Sequence, residues 1–130
     1  MDGSNFLADT NFLVDFIRGT PKAIEKMAKI QVLHIPSIVL GELYFGAERS
    51  NNPEKNRRKI NQLSVLSNIL DCDGSTAENY GMIKSKLFKN GKPLPENDIW
   101  IAAIALQYGL EIITRDRHFD EIEDVVHSEW

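Results

Sequence analysis

The chain has 130 residues, 42% hydrophobic and 26% charged, which suits one domain (1–130) with a proper core and leaves no room for two. Its net charge of −4, from 15 basic and 19 acidic residues, argues against a nucleic-acid binder, which is usually basic, unless several of the acids share a metal site. No run is long and apolar enough to cross a bilayer, and the N-terminus does not read as a secretory signal.

"MDGS" at the start is either a short arm or a cloning remnant. Phe6 to Ala8 reads as a short buried strand, ended abruptly by Asp9. Asn11 to Arg18 follows at helical spacing, with Phe12, Leu13, Phe16 and Ile17 apolar. "GTP" closes that helix and opens another, capped by Thr20 with Pro21 at its first position and Ile24, Met27 and Ala28 facing inward. Val32 to Ile35 is the second strand, and Pro36-Ser37 opens a helix to about Arg49. After the "SNNPE" loop, a long helix runs from Pro53 to about Ile69, with Ile60, Leu63, Leu66 and Leu70 as its stripe. "ILDCDG" is a short strand and turn. Ser75 to Lys89 is helical, and "KNGKPLP" breaks it. The next helix starts near Pro95 and stops at Gly109. Ile112 and Ile113 form a strand ending at Thr114, and "RDRHF" leads through a helical turn to a last strand near Val125-Val126.

Short, apolar, unalternating strands between helices point to an α/β fold with a parallel sheet covered on both faces. In such folds ligands bind outside the carboxyl ends of the strands. Asp9 and Asp116 both fall there, which places two distant acids at one crevice. Glu42 lies on a largely apolar helix face among Ile38, Phe45 and Gly46, and Asp98 lies in the first turn of "NDIWIAAIA", where the helix dipole favours an anion. Each has an ordinary explanation: a cap for Asp9, an ion pair with Arg49 for Glu42, a first-turn acid for Asp98, a turn residue for Asp116. Four carboxylates in one crevice cannot all stay ionised without cations, and Mg²⁺ or Mn²⁺ suits an all-oxygen setting.

Four blocks, in order, carry a family resemblance: "LADTNFL" (Leu7 to Leu13), "PSIVLGEL" with Ser37 and Glu42, "NDIWIAAIA" (Asn97 to Ala105) and "TRDRHF" (Thr114 to Phe119). The sequence resembles the PIN-domain nucleases, and within them the VapC-type toxins of type II toxin–antitoxin pairs. The resemblance implies a three-layer α/β sandwich around a parallel sheet of about five strands, and Mg²⁺- or Mn²⁺-dependent endoribonuclease activity. It implies an acidic site of Asp9, Glu42, Asp98 and Asp116, with Thr114 and Asn11 as accessory polar positions. It further implies an RNA substrate such as a transfer RNA, a cognate antitoxin protein, and a homodimer. Rival readings are a PIN-like scaffold that binds RNA or a partner without cutting, a DNA-directed nuclease with the same acids, and a haloacid-dehalogenase-like phosphatase. The last wants an Asp two residues after the first, where this chain has Asn11.

The remaining motifs have plain expectations. Cys72, alone, excludes an intrachain disulfide and suits a reducing cytoplasm; it reads as a small core residue. His34, His118 and His127 read as structural or solvent-facing. Tyr44, Phe45 and Trp100 read as core or interface, with core preferred. The groups Lys55, Arg57, Arg58, Lys59 and Lys84, Lys86, Lys89, Lys92 read as solvated helix faces, and as phosphate contacts if they flank the crevice.

Overall fold

The computed structural model describes residues 5–130; the "MDGS" start lies outside them. Five strands are present, β1 (Phe6–Ala8), β2 (Leu33–Pro36), β3 (Asn68–Leu70), β4 (Glu111–Ile113) and β5 (His127–Ser128). Six helices connect them: α1 (Thr10–Ile17), α2 (Pro21–Ala28), α3 (Ser37–Glu48), α4 (Pro53–Val65), α5 (Gly74–Lys89) and α6 (Glu96–Tyr108). A 3₁₀ turn, Arg117–Glu121, precedes β5. All pairings are parallel, in the order β3-β2-β1-β4-β5.

Apolar strands this short need cover on both faces. Right-handed crossovers place α1 to α4 over one face as the chain steps from β1 to β3, and α5 and α6 over the other as it returns to β4. Packing follows that division: α1 meets α2 and α3, α3 meets α4, and α5 meets α6, while α3 also reaches α6. Helix α6 is apolar almost all round, with Ile99 and Ile101–Ala105 buried, so it sits inside the protein rather than on it. It ends at Gly109, whose φ of +65° is the left-handed conformation a stop at this position requires.

The central strand is β1, and the chain leaves it toward β2 on one side and comes back to β4 on the other. Ala8 pairs with Ile113 at the carboxyl ends of both. That is the switch point of the sheet, where a crevice opens.

Several expectations need correcting. The long helix stops at Val65, so Leu66 leaves the stripe and is 83% exposed. On α2 the buried residue is Ala23, and Ile24 is exposed. The last strand falls at His127–Ser128, two residues later than Val125-Val126. Cys72 is exposed on the β3–α5 connection rather than in the core; partial burial, then Asp71 and Asp73, hold its thiol pKa above the usual value, which keeps it protonated. Phe45 is 65% exposed, beneath the Arg49 guanidinium, whereas Trp100 is half-buried and stacks on Tyr80 at 4.0 Å.

Ile112 lies fully buried in β4, one residue from the switch point. Ile112→Ala should cost about 3 kcal/mol of unfolding free energy, read by urea denaturation; a loss under about 1 kcal/mol would contradict its place in the core.

Candidate active site

Asp9 follows β1 directly and caps α1. Its Oδ1 accepts from the Thr10 N–H at 2.8 Å, so the expected capping role is present. A cap needs only one carboxylate oxygen and works from solvent, yet Asp9 is 5% exposed. Its second oxygen accepts from the Thr114 hydroxyl at 2.7 Å. Thr114 follows β4 and is itself 1% exposed. Its Oγ1 also accepts from the Asp116 N–H at 2.9 Å and from Asn11 Nδ2 at 3.4 Å, so the hydroxyl is saturated with one donation and two acceptances. Asn11 Oδ1 in turn accepts from the Arg115 N–H at 3.4 Å. These bonds tie the end of β1 to the end of β4.

Asp98 reaches the same place from the first turn of α6 and is buried. Asp116 caps the 3₁₀ turn by accepting from the His118 N–H at 2.9 Å. That turn swings the His118 ring back over the crevice. Nδ1 stands 2.7 Å from Asp98 Oδ2 and 3.0 Å from Asp116 Oδ1. His118 therefore belongs to the acidic cluster instead of facing solvent alone. The signal was its position two residues after Asp116, the reach of a side chain folded back by an Asx-type turn. His127 pairs with Asp120 and His34 contacts Asn68, both away from the acids.

Glu42 sits midway along α3 and is half-buried. It faces Thr10 and Asn97 and feels the charges of Asp9 and Asp98; among the described residues no ion pair joins it to Arg49. Asp9, Asp98, Asp116 and His118 are thus brought together, and Glu42 closes on them from α3 where α3 approaches α6.

The electrostatics are those of crowded, desolvated carboxyls. Burial pushes the Asp9 carboxyl above its usual range, against the lowering effect of Thr114 and Thr10, with Asp98 and Asp116 adding repulsion. Burial likewise raises Glu42, with Asp9 and Asp98 adding to it. Burial raises Asp98 too, partly offset by the hydrogen bond from His118. The His118 pKa is raised chiefly by its bond to Asp98. Among the described residues, no Lys or Arg pairs with any of the four acids.

The donor set suits a hard divalent cation. One ligand atom each from Asp98, Asp116 and His118 lies within 4.8 Å of the other two. Thr10, on the first turn of α1, faces Glu42 with a buried side-chain hydroxyl that favours the ionised carboxylate. Crowded carboxylate oxygens are what a cation with its water shell would satisfy.

The PIN domain family model matches residues 6–125. Ribonuclease VapC2 of Haemophilus influenzae is 34% identical over 128 residues, covering 96% of this chain and 97% of that protein. This chain belongs to the VapC branch of the PIN-domain family. The tRNA(fMet)-specific endonuclease VapC of Shigella flexneri is 30% identical over the same share of both chains. Among solved structures, DNA-bound VapBC from Salmonella typhimurium superposes with a TM-score of 0.89 at 31% identity, over 98% of each chain. The expected α/β sandwich around a five-stranded parallel sheet is the fold observed.

The raised carboxyls carry a pH signature. Between the unfolded values, near 3.8 for Asp and 4.5 for Glu, and the higher folded ones, the native state holds protons that the unfolded chain has released. Their contribution is complete below the unfolded values and lost as pH rises through the folded ones; raised His118 extends the same slope upward. Urea denaturation in EDTA should therefore show stability falling from about pH 4 toward pH 7. Asp9→Asn should flatten that fall and exceed wild type at neutral pH. An unchanged slope in Asp9→Asn would contradict the assignment.

Proposed function

We propose that this chain is a metal-dependent endoribonuclease, the toxin of a toxin–antitoxin pair. The observation that carries the reading is the meeting of Asp9, Asp98, Asp116 and Glu42 at the switch point, without a lysine or arginine partner among the described residues. Mg²⁺ or Mn²⁺ would be held by Asp9 and Asp98 as central ligands, with Asp116 and Glu42 completing the set directly or through water. When bound, such a cation neutralises the phosphodiester and acidifies water.

The chain's own groups supply the rest. Thr114 and the Thr10 N–H fix both oxygens of Asp9, so its orientation is set before substrate arrives. Glu42, with its pKa raised, faces the crevice as the group to orient the attacking water and take its proton. The water oxygen bonds to phosphorus as the bond from phosphorus to the 3′ oxygen breaks. The 3′ oxygen leaves as the terminal hydroxyl of the upstream fragment, taking a proton from solvent water, and the downstream fragment keeps the phosphate on its 5′ oxygen. The ribose 2′-hydroxyl has no role.

A structured RNA such as a transfer RNA is the substrate class, supported by the specificity named for the Shigella relative. Substrate contact falls less to the second lysine group, on and just after α5: Lys84 pairs with Glu96, Lys86 with Asp124 and Lys92 with Glu121. A groove of about 200 Å³ between α1, α3 and α4, floored by Val14, Ile17, Leu43, Ala47 and Ile60, suits an amphipathic antitoxin helix. The solved VapBC complexes support a partner of that kind. No helix among the described residues is long and apolar enough to cross a membrane, and the cytoplasm, where the RNA is, is the proposed site of action.

Purified protein without antitoxin should cut total cellular RNA into discrete fragments bearing 5′-phosphates, with Mg²⁺ or Mn²⁺ and not with EDTA. Asp98→Asn should lower cleavage more than about 100-fold with the fold intact. Cleavage that persists in EDTA, or that leaves 2′,3′-cyclic phosphates, would overturn the mechanism. A folded protein that binds RNA and cuts none under any metal would be the silent scaffold.

A further inference from the structure

His118 is not an acid, yet its ring occupies the acidic crevice. Its root is fixed. The backbone N–H is bonded to Asp116, and the next residue, Phe119, is buried in the core. From there one ring nitrogen, Nδ1, meets two carboxylates on different elements: Asp98 of α6 at 2.7 Å and Asp116, after β4, at 3.0 Å.

Two roles fit those distances. In the first, the imidazole is a hydrogen-bond donor that orients both acids. But Nδ1 carries at most one hydrogen, so that single N–H would be split between two carboxylates and could align fully with only one. In the second role, the nitrogen and the two carboxylates face a common ion. Neighbouring donors around an octahedral ion bound at 2.0–2.1 Å stand about 3 Å apart. Both observed N···O spacings are of that size, and the three donor atoms lie within 4.8 Å of one another. An ion between them satisfies all three at once.

We propose that His118, through Nδ1, is a ligand of the cation held at this crevice together with Asp98 and Asp116, and that this nitrogen shifts the site from Mg²⁺ toward first-row transition ions. The inference rests on the crevice being a metal centre and adds a donor outside the four acids. Its chemical consequence is selectivity. Carboxylates and water suit Mg²⁺ and Mn²⁺ alike, whereas imidazole suits later ions of the Irving–Williams series and contributes little to Mg²⁺.

Co²⁺ is the probe, added to the metal-free full-length protein and followed by titration and by proton NMR. Wild type should show an exchangeable imidazole proton shifted far outside the diamagnetic range by the paramagnetic ion. The signal should vanish in His118→Gln and survive in His127→Gln, with amide spectra reporting that each variant is folded. His118→Gln should also lose at least about tenfold in Co²⁺ affinity and less than about threefold in Mg²⁺ affinity. A histidine that merely positions Asp98 could weaken binding but would give no such ring signal. Co²⁺ binding that depends on Asp98 without that signal, or with it intact in His118→Gln, overturns the role of His118 and leaves the metal centre standing. Failure of wild type to bind either ion, or equal binding by Asp98→Asn, overturns both.

Discussion

Burial of carboxylates with no lysine or arginine among the described residues to answer them is the constraint on which the rest of this structure turns. Asp9 stands at the tip of the central strand, 5% exposed, and meets Asp98 and Asp116 within the same crevice. Each ionised carboxylate there loses hydration, a cost of several kcal/mol per ion unless something compensates. The protein compensates in part with neutral donors, the Thr114 hydroxyl and the Thr10 N–H, and in part with the His118 ring. What remains is an excess of negative charge, which the proposed cation would balance. The net charge of −4 acquires a local meaning in that light: four of the acids gather at the proposed cation site.

The fold is arranged to hold that crowding. Parallel pairing of β1 with β4 brings Asp9 and Thr114 side by side although they are more than 100 positions apart in sequence. Helix α6, buried on nearly every side, delivers Asp98 on a rigid first turn. The 3₁₀ turn after β4, pinned by Phe119, delivers Asp116 and His118. Each acid thus comes from a segment whose position is set by the core, which is how a scaffold keeps like charges together against their repulsion.

Much of this was legible in the sequence because local chemistry and position agreed. Unalternating apolar strands announced a two-faced parallel sheet, and the rule for such sheets put Asp9 and Asp116 at one end of it. The run "NDIWIAAIA" marked a helix with Asp98 in its first turn, and the structure adds that this helix is buried on nearly every side. What escaped depended on which side of an element the tertiary structure covers. Leu66 fits the apolar period of α4, but the helix ends one residue earlier and leaves it in solvent. Phe45 fits a core position on α3, yet no core element covers it: it is 65% exposed, with the Arg49 guanidinium over its ring. His118 looked like an ordinary loop residue because its significance comes from Asp98, 20 positions away and on another element.

The most direct test of the account is anomalous diffraction from crystals of the protein soaked in Mn²⁺, recorded at the manganese absorption edge. The expected result is a strong peak within coordination distance of Asp9 or Asp98, with those carboxylates as its ligands. Well-ordered crystals with no peak at the crevice, or with manganese bound only elsewhere, would contradict the claim that a cation completes this site.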